Sequence, residues 1–398
     1  MAARAPRRPL VIDADGHYLE PPHSLPDYIE PRFRDRAPRI VKKEDGKEYW
    51  DGSGWWEHNP KLGFAGGEPR RATAVSGLAG VSAWKQGSNL AAIGGLNYTQ
   101  ANPASFDPKA RLRVMDQERM DASVLYPTMN LQWIEDVPFH HALNRALNDW
   151  LADYVKGGKG RLYGVVNIGA VHDAKWAREE VRRCVREHGF KAIFLRPAHA
   201  VATARWWSDF YDPLWAACQE LDIAVAFHPF SGDTMYGSAR YFDTIGPSLP
   251  QQFAAGPINN PVDAMHTLTG LIVGGKLEKH PALRVAFLEA GGGWLVTLLE
   301  RLDHRYENLG HLMPNLKMRP SDYFKRNGWI SFDPEEATLG LAAKVLGADR
   351  IIWGSDFPHP DAFYPHFLKM LTKNIKDLSE TEQRQVLGLN AKALYRLP

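Results

Sequence analysis

The chain has 398 residues, of which 44% are hydrophobic and 24% charged, and its formal net charge is +2 at pH 7. Such a balance suits a globular protein with a large core, and α/β barrels often run to this length as one unit. No basic block dominates any segment, which argues against nucleic acid as a partner, and no apolar run is long enough to span a bilayer.

The start, Met1–Arg8, is basic but has no apolar segment behind it, so it reads as a solvated tail and not a secretory signal. Pro9–Asp15 (PLVIDAD) reads as a first strand. From about Leu25 to Phe106 no βα rhythm is visible, and Trp50, Trp55, Trp56 and Trp84 sit among glycines and prolines. That stretch is too long for a structureless loop, so it reads as an insertion over a barrel mouth, a lid or a dimer arm. Further apolar runs of strand length follow at Ser123–Pro127, Leu162–Asn167, Lys191–Leu195, Ile223–His228, Arg284–Leu288, Trp329–Asp333 and Arg350–Gly354. Amphipathic stretches separate them at Pro108–Met120, His141–Val155, Asp173–Glu187, Pro213–Glu220, Trp294–Asn308 and Glu335–Val345. Ser379 and Glu382 have capping-box spacing ahead of a last helix. The two cysteines, Cys184 and Cys218, fall in helical stretches, which predicts free thiols and a cytoplasmic setting. Eight strands alternating with helices predict a (β/α)₈ barrel, one domain over residues 1–398 with 25–106 as its insertion. A doubly wound open sheet would need a glycine-rich phosphate turn after an early strand, and none is present.

Barrels carry their chemistry at the C-terminal ends of the strands. There the sequence offers Asp13, Asp15 and His17 on strand one, His228 on strand five, Glu289 before three glycines on strand six, Asp333 on strand seven, and Ser355, Asp356 and His359 on strand eight. A lone histidine at a strand end is more often a hydrogen-bonded structural residue, and a lone aspartate before a helix is more often a cap. The weight lies in their coincidence. Asp15, His17, His228 and Asp356 make a ligand set of the size a catalytic divalent cation needs, with Zn²⁺ expected first and Mn²⁺ or Fe²⁺ as alternatives. Arg196, ending strand four, could clamp a carboxylate or join a rim ion pair. His199 in the same loop and Glu20 in the loop opening the insertion are further substrate-binding candidates, while His140, His141, His266 and His304 read as structural helix residues.

The same segments resemble the amidohydrolase-related family, in the branch holding aminocarboxymuconate-semialdehyde decarboxylase and γ-resorcylate decarboxylase. The likeness rests on Asp13–Pro22 (DADGHYLEPP), Arg113–Thr128 (RVMDQERMDASVLYPT), Phe227–Pro229 (FHP), His280–Trp294 (HPALRVAFLEAGGGW), Trp353–Asp361 (WGSDFPHPD) and Asn390–Leu397 (NAKALYRL). The resemblance implies one divalent metal on a distorted barrel, an acidic-x-His first ligand pair at Asp15 and His17, further ligands at His228 and Asp356, and a homodimer. It departs at strand six, where those decarboxylases carry a proton-transferring histidine and this chain has Ala290, preceded by Glu289.

Three functions are open on these grounds. The expected one is a metal-dependent hydrolase of a small apolar or aromatic carbonyl compound (an amide, a lactone or a carbon–carbon bond beside a ketone), with Asp356 as base and His359 and Glu289 in supporting proton transfer. The missing strand-six histidine tilts the reading that way. The alternative is a nonoxidative decarboxylase of an aromatic or unsaturated acid, and the third is a barrel that binds without catalysis.

Overall fold

A computed structural model describes residues 8–51, 70–71, 96–128, 136–169, 171–197, 204–229, 249–360 and 362–398. Trp55, Trp56, Trp84, His199 and the first seven residues lie outside the described residues, so the expectations placed on them are not addressed by it.

Eight parallel strands follow one another in chain order: β1 (Ile12–Tyr18), β2 (Ala122–Pro127), β3 (Leu162–Asn167), β4 (Ala192–Leu195), β5 (Ala224–Phe227), β6 (Arg284–Phe287), β7 (Gly328–Phe332) and β8 (Ile351–Trp353). Between the last strand and the first, Asp356 N donates to Asp15 O at 3.0 Å and His17 N donates to Phe357 O at 2.8 Å. These bonds draw the sheet together into a (β/α)₈ barrel. Strand one is displaced from its expected span, running Ile12–Tyr18 instead of Pro9–Asp15. The remaining strands match their expected runs to within a residue at each end.

Alternation divides the strand residues between two apolar clusters. Ala192 and Phe194, Ala224 and Ala226, Ala286 and Leu288, and Ile352 pack in the barrel interior. Ile193 and Leu195, Val225 and Phe227, Val285 and Phe287, and Ile351 and Trp353 pack outward against the helices. The period is that of a pleated strand buried on both faces. Carrying it past the strand ends aims His228 and Asp356 inward and Glu289 outward.

The helix Val137–Lys156 starts on an Asp136 side-chain cap to Phe139 N at 3.1 Å. Ser379 and Glu382 form the expected capping box, ahead of a short helix that passes through a π turn into Asn390–Tyr395. One long helix, Leu249–Val273, is not legible in the sequence because Pro257 and Pro261 break its pattern. In the region 25–106, Arg39–Lys42, Glu48–Asp51 and Arg70–Arg71 form a three-stranded sheet. Its described part is tied to the end of β1, with Trp50 edge-on to Tyr98 and the Tyr98 hydroxyl donating to Glu20 O at 2.9 Å. Both cysteines are buried free thiols. Among the described residues no helix is long and apolar enough to cross a membrane.

At the base of β8, buried Asn390 donates from Nδ2 to Ala348 O at 2.6 Å and Ile351 O at 2.7 Å, fastening the last helix to the barrel. Replacing it leaves two buried carbonyls without that donor. Urea unfolding of Asn390→Ala should show a loss of about 1–3 kcal/mol. Parent-like stability would mean the bonds carry little.

Candidate active site

Strand one owes its active end to an irregularity. Asp13 pairs with Ser123, yet Gly16 pairs with Leu125, so β1 carries one more residue than β2 between these points. This bulge inverts the phase of the strand. Ile12 and Ala14 face the barrel interior below it. Without it, Asp15 and His17 would share the outward face of Asp13. With it, His17 lies opposite the inward residue Tyr126, and both Asp15 and His17 enter the cluster at the barrel mouth.

His17 Nδ1 lies 3.0 Å from Pro127 O, and His228 Nδ1 lies 2.7 Å from Pro229 O. Each ring therefore donates Nδ1–H to a carbonyl and presents Nε2 to its neighbour, 3.2 Å away. Asp15 Oδ1 stands 3.6 Å from each Nε2, buried and accepting no hydrogen bond. Glu289 Oε2 lies 2.9 Å from His228 Nε2 and 3.8 Å from His17 Nε2. Asp356 Oδ1 is 3.4 Å from His17 Nε2. At this barrel mouth the donors form two groups that share His17, one with Asp15 and His228 and the other with Glu289, Asp356 and His359. A buried carboxylate oxygen without a donor, facing two nitrogens in the tautomer that ligates metals, fits a divalent cation.

Glu289 reaches this cluster against strand alternation because its φ is +42°. Asp356 likewise has a φ of +54°. Left-handed backbone is costly for residues with a Cβ, and at these two positions it lies beside the donor cluster. The glycines after Glu289 allow its turn: a Cβ on Gly292 would lie 2.1 Å from the Phe332 ring. Glu336 accepts from Gly292 N at 3.0 Å and Asp333 N at 2.9 Å, tying the loops after β6 and β7 together.

Crowding and burial set the protonation states. Burial raises Asp15 to about 7, with Glu289 and Asp13 adding to the rise and His228 opposing it. Burial pushes His17 well below the ordinary imidazole range, helped by His359 and His228. Burial also disfavours a charge on His228, but Glu289 and Asp15 outweigh it and raise this group to about 10. Asp333 is held well above the usual carboxylate range by burial, then by Glu336, Glu335, Asp356 and Glu289. In the metal-free protein a proton on His228 thus provides positive charge among the carboxylates.

The other candidates stand in different relations to this cluster. His359 Nδ1 is 2.5 Å from Asp356 Oδ1, its Nε2 is 3.0 Å from Thr128 Oγ1, and its ring lies over that of His17 at 4.1 Å. Arg196 sits one residue past β4 on the inward phase, half-buried, and burial lowers it to about 9 against the opposing charge of Asp263. Glu20 is buried but does not join the converging donors. His140 bonds with Asn144 inside its helix, in keeping with a structural role. Asp263, which the sequence reading missed, lies on Leu249–Val273, with Oδ1 buried and accepting no hydrogen bond, and burial raises it to about 7. On the same helix face Asn260 donates to Glu289 O at 3.3 Å and Thr267 to Pro197 O at 3.4 Å.

Elemental analysis of protein purified without a histidine tag should find about one divalent ion per chain, lost in His17→Ala and His228→Ala. Binding must displace the His228 proton and requires ionised Asp15. Apparent affinity should therefore fall, and proton release rise, as the pH is lowered from about 8 to about 6. Affinity independent of pH across that range would contradict this account of the cluster.

Comparison with known proteins agrees with this architecture. The chain is 25% identical over 305 residues to 2-amino-3-carboxymuconate-6-semialdehyde decarboxylase of Dictyostelium discoideum, covering 75% of this chain and 79% of the relative. It is 26% identical over 305 residues to a γ-resorcylate decarboxylase of Rhodococcus jostii (strain RHA1), covering 72% and 87%. In fold it resembles an amidohydrolase from Mycobacterium avium subsp. paratuberculosis, with a TM-score of 0.75 at 23% identity over 98% of both chains. It also resembles a dihydroxybenzoic acid decarboxylase from Polaromonas sp. JS666, solved with bound manganese and 2-nitroresorcinol, with a TM-score of 0.60 at 24% identity over 72% and 85%. The family model described as amidohydrolase matches residues 12–397, so the chain belongs to the amidohydrolase family, as an enzyme of its metal-dependent hydrolase or carboxy-lyase type.

Proposed function

We propose that the protein is a nonoxidative decarboxylase of an aromatic carboxylic acid, with one divalent cation held by Asp15, His17, His228 and Asp356 and approached by Glu289. The observation that carries this reading is the Asp356–His359–Thr128 chain, with contacts of 2.5 and 3.0 Å, set against the donor cluster. It offers a route for one proton from the barrel mouth to the reacting carbon. The relatives named above as decarboxylases support the same choice. The expectation of hydrolysis rested on the missing strand-six histidine. Ala290 does stand there, but the positive φ of Glu289 brings a titratable group into the same corner, which removes the ground for that preference.

The bound cation would supply a positive charge that holds substrate oxygens and offsets the surrounding carboxylates. Arg196, on the inward phase after β4, would hold an acidic group of the substrate, and the Tyr126 and Phe194 rings, 5.9 and 5.8 Å from the His228 ring, would give it apolar surface. Asp356, supplied by His359, delivers a proton to the ring carbon bearing the carboxylate. The carbon–carbon bond then breaks, its electron pair returns to the ring, and CO₂ leaves. Each turnover takes up one proton, reloaded through His359. A mixed set of carboxylates and imidazoles suits Mn²⁺ as well as the Zn²⁺ expected from sequence, and the manganese bound in the similar dihydroxybenzoic acid decarboxylase favours Mn²⁺ here. A homodimer, as the family resemblance implies, belongs to the same proposal.

Metal-loaded protein should release CO₂ from members of a hydroxybenzoic acid panel. Asp356→Asn and His359→Gln should lower kcat by about 10²-fold or more, and Arg196→Met should act mainly on KM. Turnover of lactones or amides, with no CO₂ from any acid, would restore the hydrolase reading.

A further inference from the structure

Behind the donor cluster lies a second group of buried polar residues that presents no atom to the cation volume. Its centre is Arg111, fully buried on the helix Pro108–Gln117. Arg111 Nη1 donates to His17 O at 2.8 Å and to Phe357 O at 3.2 Å, and Nη2 donates to Ser123 Oγ at 3.4 Å. The guanidinium also stands 4.8 Å from the centre of the Phe357 ring and 3.9 Å from Asp13 Oδ2. Asp13 in turn accepts from Ser123 Oγ at 2.7 Å, and from Ser355 N and Ser355 Oγ, both at 2.9 Å.

These partners are not scattered. His17 is a candidate ligand on β1 and Phe357 adjoins one, Asp356, in the loop after β8 across the barrel seam. Asp13, Ser123 and Gly16 flank the β1 bulge on its outward side. A Cβ on Gly16 would lie 2.5 Å from Asp13 Oδ2, 2.6 Å from Arg111 Nη2 and 2.6 Å from Ser123 Oγ. The guanidinium and its carboxylate therefore fill the space that a side chain at position 16 would take. That explains why the acidic-x-His pair has glycine in its middle. An outward phase for Asp15 and His17 would drive their side chains into this filled space.

We propose that Arg111 is a positioning residue that locks the β1 bulge in the phase presenting Asp15 and His17 to the interior, fixes them against Asp356 across the seam, and thereby sets the affinity for the divalent cation. This rests on the metal-binding reading above. The planar fork is essential to the role, because a single ammonium cannot serve the two carbonyls and Ser123 together. Groups that orient ligands from behind are typically worth about 10- to 100-fold in metal affinity.

The test is a Mn²⁺ competition titration against a fluorescent chelator, with the electron paramagnetic resonance spectrum of the bound ion recorded in parallel. Arg111→Met, Arg111→Lys and Gly16→Ala should each weaken Mn²⁺ binding by about 10-fold or more and alter the spectrum of whatever ion remains bound. Asn327→Ala serves as the control. Asn327 is buried at the opposite end of the barrel, where Nδ2 donates to Pro281 O at 3.1 Å and Leu283 O at 2.6 Å. Its loss should lower thermal stability and leave Mn²⁺ affinity unchanged. Parent-like affinity in Arg111→Met, full recovery in Arg111→Lys, or an equal loss in Asn327→Ala would each overturn the proposal. A parent protein that binds no divalent cation would instead remove the metal-binding reading itself.

Discussion

The site depends on one extra residue in the first strand. A regular strand starting from the inward residues Ile12 and Ala14 would send Asp15 and His17 out of the barrel, toward the helices. The bulge between Asp13 and Gly16 reverses that phase within a few residues. Below it the strand contributes apolar side chains to the barrel interior, and above it the same strand contributes donors. The cluster could not be assembled without this reversal, because Asp15 is one of its donors and His17 is the donor that its two groups share.

Electrostatics explains why such a cluster is poised for a cation and not for folding stability. Three carboxylates and three imidazoles brought together out of water repel or titrate unless something positive is shared among them. In the metal-free protein the charge on His228 serves, held there by Glu289 and Asp15 against the penalty of burial. Asp15 rises toward neutrality for the same reason. The left-handed backbone at Glu289 and Asp356 adds local strain at two strand ends. Cost concentrated at one end of a barrel, while the interior below is packed with alanine, valine and phenylalanine, is the expected signature of a site under functional constraint.

The wall of the site comes from an element that serves two strands at once. The helix Leu249–Val273 lays Asn260 on the carbonyl of Glu289, carries Asp263 within electrostatic reach of Arg196 and rests Thr267 on Pro197. Its spacing is that of one helical face. The turn that aims Glu289 and the loop that carries Arg196 are thus braced by the same surface, which couples the cation side of the site to the side proposed to hold the substrate.

The sequence by itself determined the barrel, because burial on both faces writes short apolar runs that alternate with amphipathic helices. It also determined which residues stand at the strand ends. His228 follows from simple alternation past Ala226, and the capping box at Ser379 and Glu382 is local chemistry. Other features were decided by the tertiary structure alone. The direction of Asp15 and His17 depends on a bulge that leaves no mark in composition, and that of Glu289 on a single backbone angle. Leu249–Val273 was hidden by its prolines, and Asp263 with it. Arg111 looked like one more charged residue on a helix, since nothing local tells that its helix turns that side chain inward. Short-range rules read strands and caps because their causes lie within a few residues. A bulge, a left-handed turn or a buried arginine is held by partners up to hundreds of residues away, such as Phe357 for Arg111, and only the closed barrel brings them together.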